Sequence, residues 1–285
     1  MTVHLRAPRG DEAAVLGDIC FRAFAGISQA HGFAPDFPVP EAAIGMMDGL
    51  LQSPRFFKVV AEVDGRVAGS NFLDERGTVS GVGPITIEPE LQNRGVGRAL
   101  MQAVIARSDA QGFPGIRLLQ AGFHMRSLSL YLSLGFEVRE HIACVRGPQI
   151  GLAIAGATVR AATPDDLVAA NAVCFRVHGH DRSGELADAI AAGTARVVER
   201  DGRITGYASA LAFFGHAVCE TDDDLKALIG SAEAFGGSGI LIPSRNGEVL
   251  RWCLAHGLRI TQPLTLMARG LYGEPQGAWM PSILY

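Results

Sequence analysis

The stretch Ile85-Thr-Ile-Glu-Pro-Glu-Leu-Gln-Asn-Arg-Gly-Val-Gly-Arg-Ala-Leu-Met101 runs from strand through turn to helix. Ile85, Thr86 and Ile87 alternate as β-branched residues do in an extended strand, and Glu88-Pro89 interrupts them. Beyond Gly97, the apolar residues Val96, Leu100, Ala103 and Val104 return with the spacing of one buried helical face. Between the two elements lies Gln92-Asn-Arg-Gly-Val-Gly97. Its glycines permit positive φ and close approach of a ligand to the backbone. The N–H groups of the first helical turn point outward at the positive end of the helix dipole, which makes a seat for phosphate.

The missing residues narrow the choice of phosphate ligand. A nucleotide P-loop requires Lys and then Ser or Thr after its second glycine, whereas Arg98 and Ala99 follow Gly97. A dinucleotide fingerprint requires a third glycine, and Leu100 stands at that position. The order Gln92-x-x-Gly95-x-Gly97 instead resembles the pyrophosphate loop of the GCN5-related N-acetyltransferases, the GNAT superfamily. That resemblance implies that Gln92, Asn93, Arg94, Gly95, Val96, Gly97 and Arg98 hold the diphosphate of acetyl-coenzyme A. A second segment, His124-Met-Arg-Ser127-Leu-Ser-Leu130-Tyr131-Leu-Ser-Leu-Gly135-Phe136, reads as a short helix closed by Gly135. It is similar to the GNAT motif in which Asn, a small residue and Tyr precede Gly-Phe. His124 takes the Asn position, Ser127 the small one and Tyr131 the Tyr. His124 is a departure from that motif, although an imidazole can also donate a hydrogen bond.

With 285 residues, 48% of them hydrophobic and 19% charged, the chain has material for two well-filled domains. The formal net charge of −4 and the absence of a Lys/Arg cluster argue against nucleic acid or a membrane surface as partner. Cys20, Cys144, Cys174, Cys219 and Cys253 are odd in number and widely spaced. They read as reduced core residues of a cytoplasmic protein, with no metal site. The start has no apolar signal core, and the longest nearly apolar run, Ile150–Val159, is too short to span a bilayer.

Val3–Pro8 is expected to form a strand, and a helix is expected from Asp11 through Phe24. His31–Pro54, punctuated by prolines at 35, 38, 40 and 54, is not one regular element. In GNAT proteins this segment lies over the acceptor, so Asp36 or Glu41 is a candidate to attract an amine; solvated acids on a packed connection are the alternative. A hairpin follows around Asp64-Gly65, then the opening stretch, a strand at Ile116–Gln120, the Tyr131 helix and a strand at Phe136–Val145. Gly147-Pro148 suggests a boundary, giving domains 1–148 and 149–285.

The chain then repeats itself. Arg6-Ala and Asp11 return as Arg160-Ala and Asp165, and Cys20-Phe-Arg22 returns as Cys174-Phe-Arg176, since 160 − 6 and 174 − 20 are both 154. Asp64-Gly-Arg-Val-Ala-Gly69 returns as Asp201-Gly-Arg-Ile-Thr-Gly206 at an offset of 137. The expected class is therefore α/β, a mixed α+β sheet fold in two tandem GNAT-like domains. The second copy is degenerate: Thr221-Asp-Asp-Asp224 replaces the glycine loop and Cys253 replaces Tyr131. Acids at that helix start cap it and repel a diphosphate. The aromatic tail Tyr272–Tyr285 should dock, either with Trp279 and Ile283 plugging a groove between the halves or with the Tyr285 carboxylate reaching the first cleft.

The resemblance implies transfer of an acetyl group from acetyl-CoA to a primary amine of a small molecule or peptide. Backbone N–H groups around Ile85, Thr86 and Ile87 would polarise the acetyl carbonyl, and Gly81-Val-Gly83-Pro84 suits a splayed strand there. Tyr131 would hydrogen-bond the departing thiolate, since a phenol is a weaker acid than a thiol. The base stays open among Glu75, Glu88, Asp36, His31 and the Tyr285 carboxylate. A non-catalytic acyl-CoA sensor or partner-binding module of the same fold is the alternative, and a homodimer stays open.

Overall fold

The computed structural model describes residues 2–285. The first half runs β1 (Val3–Arg6), α1 (Ala13–Ala30), α2 (Pro40–Gln52), β2 (Phe56–Val63), β3 (Arg66–Asp74), β4 (Ser80–Val82), β5 (Thr86–Ile87), α3 (Val96–Ala110), β6 (Gly115–Ala121), α4 (Met125–Ser133) and β7 (Glu137–Arg146). The second half repeats that order with β8 (Thr158–Ala161), α5 (Leu167–His178), α6 (Ser183–Ala191), β9 (Arg196–Arg200), β10 (Arg203–Ala208), β11 (Ala217–Cys219), α7 (Asp222–Gly230), β12 (Ile240–Pro243), α8 (Gly247–Ala255) and β13 (Arg259–Gly270), then adds β14 (Ala278–Met280). The Pro-rich segment expected to be irregular is a loop over 31–39 followed by α2, which Pro40 opens from a position where a missing N–H costs nothing.

The repeat has a physical core. Arg6 hydrogen-bonds Glu62 at 2.7 Å and Glu12 at 2.9 Å. Arg160 bonds Asp166 at 2.7 Å and Glu199 at 3.1 Å. Each arginine thus ties its first strand to the following helix start and to the hairpin strand beside it. The chain offsets are again 154 and 137 (166 − 12 and 199 − 62). The acid used is Glu12 or Asp166, one residue beyond the Asp11 and Asp165 that make the repeat visible in the sequence. Both hairpin turns place Asp in the left-handed region, Asp64 at φ 51° and Asp201 at φ 50°.

The sheets do not divide at residue 148. A nine-stranded sheet has the order β1-β2-β3-β4-β6-β13-β7-β12, with β5 paired to β3. A five-stranded sheet has the order β14-β11-β10-β9-β8. β13, from the second half, lies between β6 and β7: Leu264 pairs with Ala121 on one side and with Ile142 on the other. β7 in turn pairs with β12. The halves have exchanged their last strands, and Leu264, Leu266, Met267 and Ala268 are buried in the shared centre. Helices α3 and α4 pack with Val96, Leu100, Val104, Tyr131 and Phe136 against one face of the large sheet. Helices α1 and α2 cover the other with Leu16, Cys20, Phe37 and Met47. All five cysteines are free and buried. No helix among the described residues is long and apolar enough to cross a membrane.

Candidate active site

Two neighbouring strands part in the middle of the large sheet. β4 runs parallel to β6 only at Ser80 and Gly81, opposite Ile116 and Arg117. Gly83 donates back to Phe72 at 2.8 Å, Pro84 follows, and β5 resumes on β3 with Thr86 opposite Ser70. From Val82 to Ile87 one strand edge has therefore left β6, and both edges, including Leu118 to Ala121, line a cavity of about 1080 Å³. Proline removes a donor and the glycine tolerates close approach to Phe72, which is why the ladder opens at this point.

The mouth of this cleft is the loop before α3. Asn93 and Gly95 both adopt the left-handed conformation, at φ 63° and 87°. The first main-chain bond of the helix is Ala99 N–H to Gly95 C=O at 3.0 Å. The N–H groups of Val96, Gly97 and Arg98 therefore lack helical acceptors and sit at the positive dipole end. Gln92, Asn93, Gly95, Gly97 and Arg98 line the cavity; Arg94 lies outside it, exposed, and the Val96 side chain is in the core. Arg126 closes the loop from α4, donating to Gln92 at 2.6 Å and to Asn93 at 3.4 Å. This cation beside the bare front of α3 was not singled out in the sequence, although it stands between His124 and Ser127.

Helix α4 brings His124, Ser127 and Tyr131 to the same cavity as Ile85, Thr86 and Ile87. His124 Nδ1 and Ser127 Oγ are 2.6 Å apart, while the buried Nε2 has no protein partner. Burial, with Arg126 and His31 nearby, pushes this imidazole down to about 4, so it is neutral at physiological pH. Burial pushes the Tyr131 phenol up to about 12, so it remains a donor. A neutral ring and a phenol beside bare amides suit a thioester carbonyl and its leaving group.

The acids expected to supply the base separate in space. Glu75 is outside the cavity, held by Arg107 at 2.7 and 3.0 Å because the end of β3 meets the last turns of α3. Glu88 is held by Arg22 at 2.7 Å. His31 and Glu41 do not line the cavity. The Tyr285 carboxylate does not reach it either: its terminal oxygen accepts from Arg182, and its ring lies between the guanidinium groups of Arg117 and Arg182. Asp36 is the acid in the cavity. Its carboxylate accepts one hydrogen bond, from Gln262 at 3.2 Å, and burial raises its pKa.

The second half walls this cavity and carries a strand where its own would open. Phe213, Phe214, Ser238, Gln262, Leu264, Ile283 and Leu284 form part of the wall. Their partners come from distant chain segments, so local pattern held no signal for them. The tail strand β14 pairs with β11, Trp279 opposite Val218, beside β12, and occupies the gap that corresponds to the β4–β6 opening. At the start of α7, Thr221 accepts from Asp224 N–H at 3.2 Å, and Asp224 pairs with Arg200 at 2.6 Å. The helix front left bare in α3 thus has a side-chain cap in α7. Trp279 of the tail is buried in the second half and Ile283 walls the first cavity, whereas the Tyr285 carboxylate expected there turns to Arg182.

This architecture, with parted strands leading to an uncapped helix, is that of an acyl-CoA acyltransferase fold. Residues 54–138 match the family model described as an acetyltransferase (GNAT) domain. Over nearly its whole length the chain is similar in fold to a Pyrococcus horikoshii protein described as a candidate acetyltransferase, at 15% identity and TM-score 0.73, covering 99% of this chain and 92% of that one. It is similar also to a GCN5-related N-acetyltransferase from Sphaerobacter thermophilus, at 16% identity and TM-score 0.60, covering 95% and 96%. No curated protein matches the sequence. The GNAT model thus matches within the first half, and the chain shares the GNAT fold across both halves.

Proposed function

We propose that the protein is an acetyl-CoA-dependent N-acetyltransferase acting on a primary amine of a small molecule or peptide, with chemistry in the 1–148 domain and 149–285 completing the acceptor wall. The observation that carries this reading is the meeting, in one cavity, of the bare N–H groups of α3, the free edge around Ile85–Ile87 and the Tyr131 phenol. The diphosphate fits the amides of Val96, Gly97 and Arg98 with Arg126 alongside, and the His124 Nε2 is available to donate to the pantetheine arm.

An amine with a reference pKa of roughly 10.4 arrives as ammonium and must lose a proton before attack. Its nitrogen lone pair forms the C–N bond while the thioester oxygen gains charge near the Ile85–Ile87 amides. Collapse breaks the C–S bond, and Tyr131 hydrogen-bonds the leaving thiolate. Of the two protons the ammonium nitrogen loses in all, the thiolate takes one and solvent the other. The test is release of free CoA thiol from acetyl-CoA across an amine panel. Amine-dependent thiol release is expected. Acetyl-CoA binding with no such release for any amine would overturn the reading in favour of an acyl-CoA sensor.

A further inference from the structure

The cavity is two-sided, and its far side differs chemically from the phosphate side. Away from α3 and α4 it extends between the core under α1 and α2 and the core contributed by the second half, where Phe24, Phe37, Met46, Phe213, Leu264 and Leu284 give it apolar walls. Among the described residues the cations lining the whole cavity are Arg22, Arg98 and Arg126. Arg98 and Arg126 belong to the α3–α4 mouth, through Ser133 and through Gln92. Arg22 is already saturated by Glu88 at 2.7 Å and Asp18 at 2.8 Å. The far side thus holds one ionisable group, Asp36, with a single neutral partner, Gln262, and no guanidinium or ammonium beside it.

A half-buried carboxylate without a cation is costly, and a cationic ligand would relieve that cost. A ligand carboxylate would find only Asp36 and apolar walls, and would leave a second unpaired anion in the same chamber. A polyamine would bring further ammonium groups with no partner there. Aromatic and aliphatic walls, conversely, reward a ring-sized apolar body.

We propose that the acceptor is a primary amine on an apolar, ring-bearing body without a carboxylate, and that Asp36 receives its ammonium group. This rests on the acetyl-transfer reading for the reaction, and adds to it the acceptor class and the residue that selects it. With the ammonium on Asp36, the nitrogen stands in the cavity that Ile85–Ile87 also line, and one of its protons has an acceptor.

The test uses the full chain with CoA or acetyl-CoA and four probes: 2-phenylethylamine, its uncharged isostere 2-phenylethanol, its carboxylated form L-phenylalanine, and spermidine. Calorimetry with CoA present reads binding, and thiol release with acetyl-CoA reads turnover. 2-Phenylethylamine should bind roughly 10- to 100-fold more tightly than 2-phenylethanol, the range of a charge-assisted hydrogen bond, and more tightly than L-phenylalanine or spermidine. Asp36→Asn should abolish the preference for amine over alcohol and leave CoA affinity as it was. Since the alcohol comparison needs no substitution, it decides the matter even if Asp36→Asn fails to fold. Equal or tighter binding of 2-phenylethanol, L-phenylalanine or spermidine would overturn the proposal, as would no binding of 2-phenylethylamine. Binding of 2-phenylethylamine with the expected selectivity but no thiol release would uphold the acceptor class and sink acetyl transfer. Thiol release confined to spermidine or L-phenylalanine would do the reverse.

Discussion

Replacing Tyr285 should cost the protein its stability before it costs it any chemistry. The residue is 5% exposed, its ring centre lies 4.5 Å from the Arg117 guanidinium and 4.4 Å from that of Arg182, and its hydroxyl is 3.1 Å from His180 Nε2. Arg117 is itself 2% exposed, and burial together with Arg182 pushes it down to about 10. Removing the ring deletes a buried aromatic, about 3–5 kcal/mol by analogy with Phe→Ala in cores. Most of any further loss, about 0.5–2 kcal/mol, would come from Arg182 losing its π face and Arg117 keeping only that of Tyr272. Tyr285→Phe keeps the ring and loses one hydrogen bond, about 0.5–1.5 kcal/mol. The assay is chemical denaturation of the two variants at neutral pH, followed by acetyl-transfer kinetics under conditions where both are folded. Tyr285→Ala should shift the midpoint several times further than Tyr285→Phe, and Tyr285→Phe should retain kcat with an unaltered pH profile. A Tyr285→Ala variant as stable as the parent would refute the anchoring argument. A folded Tyr285→Phe variant with its kcat pH profile displaced would return the terminal residue to the chemistry.

Tyr131→Phe should lower kcat roughly 10- to 100-fold, the worth of one hydrogen bond to a developing anion, with acetyl-CoA affinity unchanged; weaker binding at constant kcat would assign Tyr131 to the ground state. Gly95→Ala forces a side chain onto φ 87°. The strain of about 1–2 kcal/mol should appear as a roughly 5- to 30-fold weaker acetyl-CoA Kd by calorimetry, and an unchanged Kd would detach the loop from the cofactor. Burial holds His178 and His216 well below the usual imidazole range and His180 down to about 3, among Arg117, Arg182, Tyr207 and Tyr285. These folded-state values lie below the unfolded value near 6.5, so the unfolded chain binds more protons as the pH falls. Their contribution is complete above about pH 6.5 and is lost below it, at about 1.4 kcal/mol per pH unit for each ring, or roughly 4 together. Urea midpoints at pH 7.5, 6 and 5 should fall accordingly, and a flat profile would contradict the burial of neutral imidazoles.

The loop before α3 was legible because its physics is local. Gly95, Gly97 and the apolar spacing of α3 set the turn and the helix start within a few residues, and Ser127 and Tyr131 share one helical face. The repeat was legible for the same reason, since Arg6 and Arg160 meet their helix-start acids only six residues away. Arg126 escaped notice because its meaning depends on Gln92 and Asn93 across the cleft.

Sequence alone determined the fold, the uncapped helix after Gly95 and the loss of the glycine loop from the second copy, where acids replace it. Only the tertiary structure decided that β13 lies between β6 and β7, that β14 pairs with β11, and that Asp36 rather than Glu75 lines the large cavity. A strand's pattern says which of its faces is buried and leaves its neighbour unspecified, because backbone hydrogen bonds are alike for every partner. An acid's role depends likewise on which cation the fold brings to it: Arg107 reaches Glu75, and none among the described residues reaches Asp36.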